Sequence, residues 1–406
     1  MRLNRAQSHL SYRRRRRSGC LSLPLLLGLL LGIGGMALLM LGRLGGFRSA
    51  SPPQSPASLS AAQDAFDRGD LDTAIAVSRQ LIAAQPDDGA ALALLARALV
   101  YRSYTDYNRS IDRSAALEAT TTAIAQFPRD GEIQAAHAFA LQANGQPVAA
   151  AQVAGQALDQ QADNALARTA LALAYGAVGS FDIALRESAR AAELPNGQLD
   201  ALRAMAISYS DLGDYPKAIA TLERAMRLNN RLLPLYFERA LYAMQIGDAD
   251  AATVAYFQVL TYQPDNVKAR LRLCELSSLL REGAAAVDYC TQVTQRAPDW
   301  SDGWYQLGRE YFLQGNYAAA RDNLRQCAAL QVEQNVAVAE RRFECWYLQG
   351  QAAEILGDCA TLLATYQEFR SMAATANLRQ TWTYPPEGPS GCVPTPLPRT
   401  NGYANQ

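Results

Sequence analysis

A period of 34 residues constrains this chain more than any other feature. Counting back from Gly315 in steps of that length meets Arg281 (with Gly283 beside it), Gly247, Gly213, Gly179 and Gly145. Counting back from Ala320 meets Ala286, Ala252, Ala218, Ala184 and Ala150, and Pro264 and Pro298 repeat at unit ends. The register recurs around Gly69, Ala74 and Pro86, and again around Trp346, Gly350 and Gly357. Fixed periods between ~20 and ~50 residues mark stacked supersecondary units. Nine units can be laid out: 55–88, 89–130, 131–164, 165–198, 199–232, 233–266, 267–300, 301–334 and 343–376.

The stretch "WYQLGREYFLQGNYAAARDNL" from Trp304 shows what one unit is. Trp304, Leu307, Gly308 and Tyr311 share one helix face by three-and-four spacing. Gly315 and Asn316 supply left-handed backbone for a turn. Tyr317, Ala320 and Leu324 then form the facing stripe of a second helix. Gly308 and Ala320 are small where the two helices approach, and Tyr311 and Leu324 fill the space beside them. One such pair cannot bury its apolar face alone, so the units must stack.

The pattern resembles the tetratricopeptide repeat (TPR) family, whose unit has Trp, Leu-Gly, Tyr, Ala, Phe and Pro at matching offsets. The resemblance covers residues 55–376 and is clearest in 199–232 and 301–334. It implies an all-α fold, a right-handed α-solenoid of about nine helix pairs, and a protein that binds other proteins. It does not name the partner.

Two units break the period by eight residues. In the second, Ala96 to Ala116 spans 20 positions where other units use 12, and the excess contains "YRSYTDYN". Its tyrosines read as a protruding recognition element or, more simply, as a lengthened surface loop. The other insertion, 335–342, is expected to lengthen one or both flanking helices.

Formal net charge is zero, but the charge is unevenly placed. Residues 1–48 hold nine Arg and no Asp, Glu or Lys; removing those nine from 38 basic residues leaves 29 against 38 acidic. An acidic body argues against nucleic acid as the partner, since phosphate binding relies on clustered Lys and Arg. Residues 1–17 therefore read as a basic cytoplasmic tail ending in Arg13–Arg17. The 18–42 segment reads as a transmembrane signal anchor, because residues 20–41 carry no charge and ~20 apolar residues span the hydrocarbon layer. Arginine bias puts the N-terminus in the cytoplasm and the repeats on the extracytoplasmic side of the cytoplasmic membrane. A cleaved secretory signal is the other reading of the segment. Gly28 and Gly32 match the small-xxx-small pattern of membrane-helix dimers. Residues 43–57 read as a Pro/Ser-rich linker, 58–376 as the superhelix, and 377–406, with six Pro and three Gly after Thr383, as a disordered tail.

Nothing points to catalysis, a cofactor or a metal. The two His are His9 in the basic tail and His137 on a packing face, and no nucleophile-elbow, zincin or phosphate-loop spacing occurs. Acidic residues after the turn glycines, Asp70, Asp214 and Asp248, suit the starts of second helices. Outside the apolar span the cysteines are Cys274, Cys290, Cys327, Cys345, Cys359 and Cys392. They read either as small buried hydrophobes or as disulfides in an oxidising compartment. Cys274 and Cys290 would face each other within one unit, Cys327 and Cys345 would lie on adjacent helices of successive units, and Cys359 could take Cys392 from the tail.

In the family the chain resembles, the first helix of each pair lines the inner wall. Carried onto this sequence, the face opposite the packing stripe gives Ile207, Phe237, Leu241, Met244, Leu271, Tyr305, Arg309, Phe312 and Tyr347. These are mostly apolar, and Lys217 and Lys268 are the only lysines in the chain, so recognition of a carboxylate terminus by Lys, Asn and Arg is not expected here. The wall suits a helix or extended segment with hydrophobic anchors. The reading is a non-catalytic scaffold for partner proteins; the alternative is a chaperone-like subunit presenting extended polypeptide to an envelope enzyme or export pathway.

Overall fold

The computed structural model describes residues 57–376, 382–384, 389 and 391–392. The basic tail, the apolar span with Gly28 and Gly32, and the linker lie outside the described residues. Among those described, no helix is long and apolar enough to cross a membrane.

Eighteen α-helices and no strands make up the described part, arranged as nine antiparallel pairs. The pairs are α1 (Leu59–Asp67) with α2 (Leu71–Ala84), α3 (Gly89–Ser103) with α4 (Ile111–Gln126), and α5 (Gly131–Ala143) with α6 (Pro147–Gln160). Next come α7 (Ala165–Ala177) with α8 (Phe181–Ala192), α9 (Gln198–Asp211) with α10 (Tyr215–Leu228), and α11 (Leu233–Gln245) with α12 (Ala249–Tyr262). The last three are α13 (Val267–Leu279) with α14 (Gly283–Arg296), α15 (Ser301–Leu313) with α16 (Tyr317–Glu333), and α17 (Glu344–Ile355) with α18 (Cys359–Thr375).

The turn between the helices of a pair is built by sequence. At Gly213, φ is +78°, and Asp214 N–H donates back to the Tyr209 carbonyl at 2.9 Å, closing the carbonyl end of α9. Asp214 then caps α10 by accepting from Lys217 N–H at 3.2 Å, as Asp248 does from Ala251 at 2.9 Å and Asp70 from Thr73 at 3.1 Å. Arg281 stands at the glycine position of the seventh pair with φ +62°, a conformation that costs a side-chain-bearing residue about 1 kcal/mol. Close approach explains the other recurrent glycine: a Cβ on Gly308 would lie 2.7 Å from Leu324 Cγ.

First helices of successive pairs touch one another, α1 with α3, α3 with α5, α5 with α7, α7 with α9, α13 with α15 and α15 with α17. Contacts of that extent do not join the second helices, so the array curves with its first helices inside. The insertion at 335–342 lengthens neither flanking helix, contrary to expectation: α16 ends at Glu333 and α17 starts at Glu344, and between them the chain turns and forms a short 3-10 helix, Val338–Glu340.

Candidate functional site

The inner side of the array is partly filled by its own chain. Neither reading of the "YRSYTDYN" excess survives: it turns inward, and Tyr101 is fully buried. Helix α3 carries the chain into the interior, and residues 104–107 then bind the start of α13 as a peptide ligand would. Asn266 caps α13 by accepting from Ala269 N–H at 2.8 Å, which leaves the two preceding amides without partners. The Asp106 carboxylate accepts from both, Lys268 N–H at 2.9 Å and Val267 N–H at 3.3 Å, where the helix dipole favours an anion. Asn266 Nδ2 donates to the Thr105 carbonyl at 2.9 Å, and Lys268 Nζ to the Tyr104 carbonyl at 2.7 Å. Tyr107 stacks on Trp300 with ring centroids 4.7 Å apart and donates to Asp299 at 3.1 Å.

An ionic network ties the same helix to the middle of the array. Asp200, at the start of α9, accepts from Arg97 Nε at 2.6 Å and from the Tyr101 hydroxyl at 2.8 Å. Arg97 also lies 4.6 Å over the Phe66 ring. Arg203 stacks on Tyr101 at 5.2 Å and on Tyr104 at 5.3 Å while donating to Glu238 Oε1 from Nε at 2.8 Å. Burial alone would lower the Arg203 pKa, but Glu238 and the tyrosines hold it above the usual value. Burial, and then the Asp200 charge, push the Tyr101 hydroxyl well up. Asn229 Nδ2 donates to the Phe66 carbonyl at 3.0 Å, so the first pair is held as well. Lone charges at this depth would be costly; paired and stacked, they fix one geometry.

Beside this brace an open cleft of ≈ 390 Å³ remains between α11 and α13. Phe237, Leu241, Met244, Tyr256, Leu276 and Leu279 supply its apolar lining, with Lys268, Arg272, Glu238 and Glu275 among them. Leu241 is 54% and Leu279 66% exposed. Lys268 lies 4.4 Å over the Phe237 ring, and burial, reinforced by Arg272, brings its pKa down to about 8. Glu275 is held by Arg272 at 2.6 Å, whereas Glu238 Oε2 is buried with no partner.

The expected inner-wall residues therefore separate. Phe237, Leu241 and Met244 share the cleft. Ile207 lines a smaller cavity of ≈ 160 Å³ with Tyr104 and Arg203. Leu271 is 4% exposed and packs with Val267, Val293, Tyr107 and Trp300, so it is core rather than wall; the insertion covers it. Tyr305 lies under Arg342, 4.5 Å from its ring, Arg309 donates to Ser278 at 3.2 Å, and Phe312 packs edge-on to Tyr317 at 5.3 Å. Tyr347 packs edge-on to Trp382 at 5.6 Å. Leu279, Leu276 and Tyr256 were not anticipated; Leu279 is in register with Leu313 on α15, 34 residues on, and that register was the available signal.

A second cleft of ≈ 860 Å³ lies between α1, α3 and the starts of α5, α7 and α9, with Arg97, Glu132 and Asp163 among a lining that also holds Leu59, Leu94 and Leu228. His137 is half-buried beside Thr120, with Oγ1 and Nδ1 3.1 Å apart, and burial lowers its pKa. Among the described residues no group of three His, Cys, Asp or Glu could hold a metal ion.

Disulfides join Cys274 to Cys290, Cys327 to Cys345 and Cys359 to Cys392. The segment after α18, read from its prolines as disordered, is docked where it is described. Trp382 is 6% exposed and packs against Tyr366 and Phe369, each 5.1 Å away. Tyr384 donates to Glu354 at 2.6 Å.

Two segments of the chain, residues 201–231 and 301–331, match the family model for the tetratricopeptide repeat. They lie in the two units whose pattern is clearest. A chain in the crystal structure of the APC/C hetero-tetramer Cut9–Hcn1 superposes with a TM-score of 0.52 at 14% identity, over 72% of this chain and 54% of that one. The fold is that of a tetratricopeptide-repeat solenoid. The chain thus spans about half the length of that structural relative. Lower similarity extends to a tetratricopeptide repeat protein from Parabacteroides merdae (TM-score 0.40, 16% identity, 62% of this chain and 96% of that one). It also extends to YrrB, a TPR protein with an unusual peptide-binding site (TM-score 0.36, 18% identity, 45% of this chain and 93% of that one). No curated protein matches the sequence.

Proposed function

We propose that this TPR solenoid is a non-catalytic scaffold that takes a helical or extended segment of a partner protein against the α11–α13 strip. The observation that carries this is the concave cleft of ≈ 390 Å³, in which Leu241 and Leu279 are more than half exposed beside Phe237 and Met244. Apolar anchors with a few fixed polar groups suit peptide recognition. Replacing both exposed leucines, Leu241→Asp with Leu279→Asp, should weaken partner binding by roughly 30-fold, about 2 kcal/mol, while thermal unfolding stays cooperative. A photocrosslinking residue at Leu241 should identify that partner, and one at exposed Phe257 on α12 serves as the control. Equal adducts at both positions would show that the cleft is not the site. Adducts with many unrelated chains at Leu241 would favour the chaperone-like reading over a scaffold with defined partners.

The scaffold is placed, in the same proposal, at the outer face of the cytoplasmic membrane through residues 20–41. Support comes from the uncharged 20–41 stretch after Arg13–Arg17 and from six oxidised cysteines, which suit an oxidising compartment. A reporter active only outside the cytoplasm, fused after Gln406, should be active; activity of a cytoplasm-only reporter there would overturn the topology.

A further inference from the structure

The three disulfides differ in a way that suggests different chemistry. Cys274, Cys290, Cys327 and Cys345 are fully buried, and a thiol in solution cannot reach them without opening the array. Cys359 and Cys392 are only half-buried, and Cys359 Sγ lies at the surface, 3.7 Å from the Gly391 carbonyl. Cys359 is also the first residue of α18, where the dipole stabilises a departing thiolate. Asp358 beside it carries the opposing charge, but it is engaged by Arg321 at 3.0 Å and by the Thr361 amide at 3.1 Å.

What this bond holds down is a cap. The last pair of a solenoid has no following neighbour to bury its apolar face, and here Trp382 does so. Its ring sits on Gly350, where an added methyl would overlap it, and packs edge-on to Tyr347, Tyr366, Phe369 and Tyr384. The Tyr384 amide donates to the Tyr366 hydroxyl at 2.9 Å.

We propose that Cys359–Cys392 is a thiol-exchange site at which a dithiol reductant unlatches this aromatic cap while leaving the other two disulfides intact. A thiolate of the dithiol attacks Cys392 Sγ, forming a mixed disulfide and expelling the Cys359 thiolate, which takes up a proton. The second thiol of the reductant resolves the mixed disulfide, releasing Cys392 as a thiol; the dithiol leaves oxidised and the protein gains two electrons. Without the covalent closure, the Trp382 segment exchanges between docked and free, and the aromatic face of α17 and α18 becomes accessible.

Native full-length protein treated with graded dithiothreitol, then alkylated and peptide-mapped, should show Cys359 and Cys392 labelled at least tenfold faster than the other four cysteines. In denaturant the three bonds should react at similar rates. Selective reduction should also shift tryptophan emission to the red and raise acrylamide quenching, and Trp382→Phe should abolish both changes. The double variant Cys359→Ser with Cys392→Ser should reproduce the reduced state without reductant. Equal reduction rates of the three bonds in native protein would overturn the proposal, and so would selective reduction that leaves Trp382 as shielded as before.

Discussion

The two ends of the solenoid solve one problem by different means. Among the described residues the first pair has no preceding neighbour, and the first two pairs bury themselves against the inside of later ones: Tyr101 reaches Asp200 across 99 residues, Asn229 reaches Phe66 across 163, and Tyr107 reaches Asp299 across 192. Around the last three pairs the ties are covalent and short: one disulfide closes the seventh pair, one joins the eighth to the ninth and one holds the C-terminal segment to the ninth, at separations of 16, 18 and 33 residues. A repeat encodes contacts with its immediate neighbours and nothing more, so each end needs an added device. The device at the front fills part of the inner channel and leaves the α11–α13 stretch of wall open.

Breaking the front device at the buried Arg203 should have the largest effect. Arg203→Ala leaves Glu238 without its cation beside Tyr101 and Tyr104, and should lower unfolding free energy by about 3–5 kcal/mol in urea titrations. Arg203→Met with Glu238→Leu should recover much of that loss; no recovery would mean that the network contributes through something other than its paired charges. At the back, Cys274→Ala with Cys290→Ala removes a constraint on a short loop and should cost ~3 kcal/mol by the chain-entropy argument, with Tyr101 remaining buried.

A smaller effect of the front device is its pH dependence. Burial lowers the Lys268 pKa from 10.5 to about 8, so between these values the unfolded chain binds more protons than the folded one. Stability from this group therefore rises with pH from about 8 to 10.5, by roughly 2 kcal/mol after discounting for partial exposure. Tyr107 opposes it only at higher pH, because burial and Asp299 raise its hydroxyl to about 12 and the stability it contributes is lost from about pH 10 upward. Lys268→Met should flatten the rise between about pH 8 and 10.5, measured as the difference from wild type. An unchanged profile would place Lys268 outside the brace.

What could be read from the sequence follows the same division. The period located the helix pairs, the turn at Gly213 and the caps at Asp70, Asp214 and Asp248, because these depend on residues a few positions apart. The inward course of residues 104–107 could not be read, since its contacts lie 161 to 192 residues away and periodicity carries no information at that range. Leu271 was misplaced in part for the same reason: it is core through Val267, Val293 and Trp300 of its own unit and through Tyr107 of the distant insertion. At the C-terminus, proline content pointed to disorder, while Trp382, Tyr384 and the Cys359–Cys392 bond dock the segment where it is described.

The central claim is that Asp106 completes the cap of α13 from across the solenoid, and amide hydrogen exchange at Val267 and Lys268 tests it most directly. These two amides donate to Asp106, whereas Ala269 donates to Asn266. In Asp106→Ala the loss of a cap, about 1 kcal/mol, should speed exchange at Val267 and Lys268 about fivefold, with Ala269 changing less and the helices of the first pair loosening in step. Exchange at Val267 and Lys268 as slow as in wild type would show that the insertion does not brace α13, and the account of an occupied inner channel would fail.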